Sequence, residues 1–161
     1  MSPPRRRQCL AQLGLLVVCG LLTAPARATI TGNCTASATG VSFGTYSLLS
    51  GTPLTSTGTV TVNCSGATKI SGNNSVTVSL STGQSGTFTA RSLGTGFSYN
   101  LYQDAAYSEI WGDGTGVSTQ YTGSITNGQN SFSATVYGEI PARQNPAPGS
   151  YTDSITVTVN Y

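Results

Sequence analysis

The sequence has no histidine, and only 7% of its 161 residues are charged. The most common general bases and the usual partners of nucleophilic residues are therefore missing. A carboxylate pair such as Asp104 and Glu109 could be posed as the acid and nucleophile of a glycoside hydrolase, but single charged residues in polar turns are mostly just solvated. We predict that the protein is not an enzyme.

Motifs for metals and phosphates are also missing. The glycine-rich stretch 112–116, Gly-Asp-Gly-Thr-Gly, lacks both the lysine of a phosphate loop and the carboxylate series of a calcium loop. We interpret it as a hairpin connection that follows Trp111. No cofactor and no metal are expected.

The N-terminal apolar run, residues 10–22, has about 13 residues, whereas roughly 20 are needed to span a bilayer. It is preceded by Arg5, Arg6 and Arg7 and followed by Ala26-Arg27-Ala28, whose two alanines supply small residues at the positions that a signal peptidase reads. These features predict a secretory signal peptide over residues 1–28, cleaved after Ala28, rather than an integral membrane span. One mature domain, residues 29–161, remains.

Removing the signal peptide reverses the sign of the net charge, because four of the seven basic residues lie within it. Three basic residues remain against five acidic ones, so the mature net charge is about −2. No basic footprint for a nucleic acid is left.

Cleavage also removes Cys9 and Cys19, which leaves Cys34 and Cys64 as the thiols of an exported protein. Two cysteines without a histidine cannot complete a four-ligand zinc site, so a single disulfide is the natural pairing. Closing a loop of about 31 residues should stabilise the fold by roughly 3 to 4 kcal/mol.

Residues with strand propensity alternate with turn signals along the whole mature chain, and no stretch of ten or more residues has helical periodicity. This pattern predicts an all-β sandwich in one domain. The predicted strands are 34–38, 59–64, 75–80, 97–102, 131–137 and 154–161.

The last predicted strand runs into the chain terminus with no strand after it. Its alternation places Ile155, Val157, Val159 and Tyr161 on one face. A β-sandwich that ends in this way lacks a partner for its final strand.

Several aromatic residues lie in the middle third of the chain. Exposed rings there, Tyr107 and Trp111 among them, could stack on sugars or contact a surface. Packing in the core explains these rings equally well.

Five segments, in order, resemble the spore coat protein U domain family, which includes the pilins of archaic chaperone/usher pili. The segments are Val60–Cys64, Tyr99–Ala106, Trp111–Gly114, Tyr137–Pro141 and Pro148–Asp153 with the terminal strand, and the resemblance as a whole extends over essentially all of residues 29–161.

The resemblance implies an immunoglobulin-like β-sandwich that lacks its last strand. Such a subunit is completed by a strand from a periplasmic chaperone, and then, after passage through an outer-membrane usher, by a strand from a neighbouring subunit. Ile155, Val157, Val159 and Tyr161 would form one wall of the acceptor groove, and the terminal carboxylate would face a basic anchor on the chaperone. The implied destination is the cell surface, reached through the periplasm, as part of a pilus or coat.

The chain departs from the pilin pattern at its N-terminus. A donor strand needs roughly ten extended residues, whereas residues 29–33 alone would precede Cys34. The chain could be a tip-like subunit that accepts a strand without donating one, a coat protein assembled differently, or a chain whose leader boundary lies elsewhere.

Two function classes follow from these observations. The first is a structural subunit of a surface pilus or coat, with a role in adhesion or biofilm formation if it occupies a tip. The second is a secreted carbohydrate- or surface-binding module with a complete sandwich, which would bind through exposed rings such as Trp111.

Overall fold

The computed structural model describes residues 29–31, 33–65, 69–71 and 74–161. The predicted signal peptide lies outside these residues, so its cleavage stays a prediction. Within the described part of the chain, no helix has the length and apolar character needed to cross a membrane.

The described residues form ten strands and one short 3-10 turn, Gly83–Ser85. The strands are β1 Thr29–Thr31, β2 Thr35–Thr39, β3 Leu54–Asn63, β4 Lys69–Ser71, β5 Asn74–Leu80, β6 Arg91–Gly94, β7 Phe97–Tyr102, β8 Tyr121–Ile125, β9 Ser131–Ile140 and β10 Val157–Asn160.

Two sheets pack face to face, and two further strands form a separate pair. The larger sheet has the order β2-β3-β9-β7-β6, the smaller one the order β10-β5-β8, and β1 pairs with β4. Neighbouring strands are antiparallel throughout these sheets. The prediction of an all-β sandwich is confirmed.

The central pair, β3 and β9, shows how the sequence specifies the layers. The two strands pair over ten residues, from Leu54 opposite Ile140 to Asn63 opposite Ser131. Val60 and Val62 point into the core and are fully buried, while the hydroxyl of Thr61 lies 2.8 Å from that of Ser133 on the outer face. The alternation of Val and Thr therefore determines which face of the strand is buried in the core and which faces solvent.

Two strands of the sheets, β6 and β8, are missing from the predicted set. β8 contains Gly123, against which the ring of Phe132 packs so closely that a Cβ would overlap it. This glycine interrupts the apolar row that marks a strand in sequence. β6 is short, has a register shift between Ser92 and Gly94, and begins with a buried arginine.

The terminal strand is shorter than predicted, because β10 covers only Val157–Asn160. Its partner β5 ends at Leu80 and the chain then turns into Gly83–Ser85, so residues 151–156 have no strand to pair with. The predicted alternation nevertheless holds: Ile155, Val157 and Val159 are half-buried, whereas the residues between them are exposed.

The disulfide between Cys34 and Cys64 is present, as predicted. It lies directly beside the terminal pair of the β2–β3 ladder, Thr35 opposite Asn63. The bond therefore fastens β2 to the sheet at one end, although the exposed side chains of β2 contribute little to the core.

Candidate functional site at the open edge of the sandwich

A cavity of about 940 Å³ lies between the two sheets on the side of their edge strands, β2 and β10. One wall is formed by residues of the segment 38–48 and the other by residues of the segment 146–157. The floor consists of core side chains from both sheets: Val60, Leu80, Leu93, Phe97, Tyr99, Leu101, Val136 and Ile140.

The first lip of the cavity is β2, whose inward-facing side chains are not covered. Ala36 lies opposite Val62 and Ala38 opposite Val60 on the ladder, so these four side chains share the core face. Both valines are buried, yet both alanines are exposed. The apolar face of the larger sheet therefore continues from β3 onto β2, where the side chains are not covered by the smaller sheet.

The second lip, β10, shows the same mismatch. Val157 lies opposite Leu80 and Val159 opposite Val78. The β5 partners are fully buried, whereas the two valines of β10 are only half-buried. Both lips therefore carry apolar side chains that the described part of the chain does not fully cover.

The backbones of the two lips are also unpaired on one side. β2 pairs with β3 alone and β10 with β5 alone among the described strands. Each strand therefore presents an outer row of N–H and C=O groups that no described strand pairs with, which is a template for a further strand.

Aromatic rings connect the floor of the cavity to both of its walls. Phe97 on the floor contacts Tyr46 of the first wall and Tyr151 of the second, with ring centroids 5.1 Å and 5.0 Å apart. The Tyr46 hydroxyl donates to Pro141 O at 2.9 Å and accepts from the Gln144 N–H at 2.8 Å. These contacts hold the first wall against the end of β9.

The first wall sits close to the sheet because Gly138 has no side chain. A Cβ at this position would lie 2.6 Å from Cγ1 of Val41 and 2.8 Å from Cζ of Phe43. A glycine near the C-terminal end of β9 therefore lets Val41 and Phe43 pack against the sheet, where a side chain would displace them.

The second wall carries a carboxylate, Asp153, that is hydrogen-bonded to both layers. Its Oδ2 accepts from the Tyr99 hydroxyl at 2.8 Å and its Oδ1 from the Gln84 N–H at 3.0 Å. Burial of the phenol, together with its hydrogen bond to Asp153, raises the pKa of Tyr99 well above its ordinary value. Tyr99 therefore stays a hydrogen-bond donor across the physiological pH range.

Beneath this wall lies Arg91, whose side chain is completely buried. Its guanidinium donates to Ser81 O twice, at 3.1 Å and 3.0 Å, to Trp111 O at 2.7 Å and to Asn100 Oδ1 at 2.6 Å. Burial lowers the pKa of Arg91, and the nearby Tyr99 and Asp153 oppose that effect. The hydrogen bonds offset part of the cost of burying the charge.

The predicted groove residues do not all lie in the cavity. Ile155 and Val157 line it, and Val159 packs against the core beyond it. Tyr161 is 52% exposed and does not line it. Sequence reasoning missed the facing wall and Asp153, because neither has a repeating apolar pattern.

Trp111 was predicted as a possible surface-binding ring, and this is wrong. Its side chain has no exposed area and its Nε1 donates to Val78 O at 2.8 Å, so the ring is part of the core. Tyr107 is half-buried and packs edge-on against Tyr102 and Tyr137, with centroids 5.6 Å and 6.3 Å apart. A binding role for Tyr107 stays a prediction.

The acidic residues outside the cavity serve local structure. Asp104 accepts hydrogen bonds from the Glu109 N–H at 2.8 Å and from the Ser108 hydroxyl at 2.7 Å, and these bonds lower its pKa. A glycosidase acid needs the opposite shift. Asp113 likewise accepts from the N–H and hydroxyl of Thr115, within the glycine-rich connection. Among the described residues, no group of three or more potential ligands could hold a metal ion.

These features define an antiparallel, immunoglobulin-like β-sandwich with a groove left open between two edge strands. The chain belongs to the Spore Coat Protein U domain family, whose model matches residues 21–158. The family expected from the sequence is thus confirmed.

A solved structure shares the fold. It is the crystal structure of the CsuC-CsuE chaperone-tip adhesion subunit pre-assembly complex from archaic chaperone-usher Csu pili of Acinetobacter baumannii. The match has a TM-score of 0.51 and 23% sequence identity, and covers 80% of this chain but 39% of the other. A comparison with curated protein sequences found no match.

Proposed function

We propose that this protein is a structural subunit of a cell-surface pilus or coat, and that its open groove accepts a β-strand from another protein. The observation that carries the proposal is the incomplete burial of core-facing side chains on both lips, where Ala38 on β2 is exposed and Val157 on β10 is half-buried. An inserted strand would pair with the free backbone edge of a lip and cover these side chains. Its alternate side chains would enter the cavity and fix its register.

The proposed partners are a periplasmic chaperone, an outer-membrane usher and neighbouring subunits. The family supports this assignment, and the solved structure of similar fold is itself a chaperone–subunit complex. The route would then lead through the periplasm to the cell surface. Tyr161 is 52% exposed and would be accessible to the chaperone at this edge.

The N-terminal segment supports a subunit that accepts a strand without donating one. β1 is paired with β4 within the same subunit, from Thr29 opposite Ser71 to Thr31 opposite Lys69. Cys34 follows three residues later and is fixed by the disulfide. With cleavage after Ala28, no free segment of donor length would remain, as expected for a terminal position such as a tip.

The alternative, a complete sandwich that binds sugars through exposed rings, has less support. The lips of the cavity are uncovered, and the ring of Trp111 is unavailable. The family and the fold are those of structural subunits rather than enzymes.

The test is native mass spectrometry on periplasmic extract from cells that carry the matching chaperone, with an internal affinity tag that leaves Tyr161 free. We expect a one-to-one complex with a chaperone-sized protein. Replacing Val157 and Val159 by Asp should abolish it, whereas the matched change of Thr156 and Thr158, on the outer face of the same segment, should not. A stable disulfide-bonded monomer without a partner would overturn the proposal.

A further inference from the structure

We propose that Asp153 is a positioning residue that holds the second wall of the cavity in its receptive shape before any strand enters. The inference rests on the proposed function of the cavity as a strand acceptor. It assigns to this carboxylate a role in assembly separate from that of the apolar lips.

One side chain joins the wall to both layers of the sandwich. Oδ2 of Asp153 accepts from Tyr99 of β7, in the larger sheet, at 2.8 Å. Oδ1 accepts from the Gln84 N–H in the 3-10 turn that follows β5 of the smaller sheet, at 3.0 Å. Hydrogen bonds to an ionised carboxylate are stronger than those between neutral groups.

The wall needs such a fastening because residues 151–156 belong to no ladder. Apart from the bonds of Asp153, hydrogen bonds join this segment to the residues that follow β5 in the smaller sheet. Gln84 Nε2 donates to Thr152 O at 2.8 Å, and Ser81 N donates to Thr156 O at 3.0 Å. A segment with few backbone hydrogen bonds and alternately exposed residues unfolds locally at a low cost in free energy when one of its hydrogen bonds is removed.

The 3-10 turn that faces Asp153 in the same chain leaves room for its carboxylate. A Cβ at Gly83 would overlap the carboxylate of Asp153, so only glycine leaves it room. The same glycine has a φ of 63°, in the left-handed region that glycine adopts most easily. The turn therefore both admits Asp153 and directs the Gln84 N–H towards it.

The buried charge of Arg91 also stabilises the position of Asp153 and of the residues that follow β5. Arg91 attracts Asp153 electrostatically and also holds Ser81 O, the carbonyl of the residue whose N–H bonds Thr156. Arg91 therefore holds the Ser81 carbonyl by hydrogen bonds and acts on Asp153 through its charge. A wall ordered in advance spares the incoming strand the entropy cost of ordering it.

The first test is hydrogen exchange on the disulfide-bonded mature chain, with Asp153→Asn compared to Asp104→Asn. Asp104 is a suitable control because it also accepts backbone N–H bonds but lies outside the cavity. We expect the amides of Thr156 and Ser81, which donate to Ser81 Oγ and to Thr156 O, to exchange about tenfold faster in D153N, since a charged hydrogen bond that holds the same wall is lost. The amides of β3 and β9 should keep their protection in both variants.

The second test adds a strand in cis, by extending the chain beyond Tyr161 with a turn and an alternating Thr-Val strand. The tethered strand should raise the thermal midpoint of the wild-type chain, and raise that of D153N by distinctly less. D104N should gain as much as the wild type. If D153N does not fold, Tyr99→Phe, which removes a single hydrogen bond to the carboxylate, should show the same effects more weakly.

The outcomes separate the two proposals. Unchanged exchange of the Thr156 and Ser81 amides in D153N, or an equal gain from the tethered strand in D153N and wild type, would overturn the role of Asp153 alone. No gain in the wild-type chain would overturn the acceptor groove, and with it the role of Asp153.

Discussion

Ala38 and Val60 face each other across the β2–β3 ladder, yet Ala38 is exposed while Val60 is 2% exposed. Directly opposed residues in an antiparallel pair point to the same side of the sheet. The difference in exposure therefore marks the line where the sandwich stops covering its own core. It explains why an inserted strand would bury apolar surface that the isolated subunit cannot.

Replacing Ala38 by Asp should leave the isolated subunit folded but block strand acceptance. The carboxylate would be solvated in the open groove and desolvated beneath an inserted strand. The check is co-purification with the chaperone, which should be lost in A38D. Ser37→Asp on the outer face of β2 should bind normally, and equal loss in both variants would contradict the assignment of faces.

Removing the disulfide should destabilise the open subunit by roughly 3 to 4 kcal/mol, since it closes a loop with a sequence separation of 30. Urea unfolding of Cys34→Ser/Cys64→Ser measures this loss against the wild type. We expect β2, which is held on one side only, to lose protection first. A loss below about 1 kcal/mol would show that the β2–β3 ladder suffices without the bond.

Trp111→Phe should lower stability rather than ligand binding, by about 2 to 4 kcal/mol, because it leaves a cavity and the carbonyl of Val78 without its donor. Circular dichroism during urea unfolding measures the change. Since Trp111 is the one tryptophan of the chain, its emission in the wild type should be blue-shifted and move to the red on unfolding. Red emission from the native state would contradict its burial.

Gly138→Ala should displace the first wall and cost about 1 to 3 kcal/mol, since the added methyl overlaps Val41 and Phe43. The measurements are urea unfolding and chaperone co-purification. Gly40→Ala is the matched control, because a Cβ there meets nothing within 4 Å. Similar effects in both variants would indicate that glycine flexibility, and not the close packing, is what matters.

Stability should fall on the acid side in part through Asp104. Its pKa in the folded chain lies below the ordinary value of 3.8, chiefly because of the hydrogen bonds from Glu109 and Ser108. The stabilisation is therefore complete above the unfolded pKa and is lost as pH falls through the lower folded value. Between about pH 2 and 6, the unfolding midpoint of Asp104→Asn should change less with pH than that of the wild type. An unchanged slope would contradict the shift.

Several elements were predictable because they depend on local pattern. The alternating valines of β3 and β5 are such a pattern, and Asn127-Gly128, which lies between β8 and β9, is a dipeptide typical of a hairpin turn. The turn needs a residue with positive φ, and Gly128 has a φ of 100°. Burial of Trp111 was not predictable, because the same residue suits a core and a binding surface.

The sequence by itself predicted an all-β domain with one disulfide and an alternating strand over residues 154–161, because the period-two alternation and the two cysteines of the predicted mature domain can be read without the fold. The tertiary structure alone decided the shape of the cavity. Its facing wall, the aromatic contacts of Phe97 and the hydrogen bonds of Asp153 join residues more than 50 positions apart. Such contacts arise only when two sheets pack, and no local pattern encodes them.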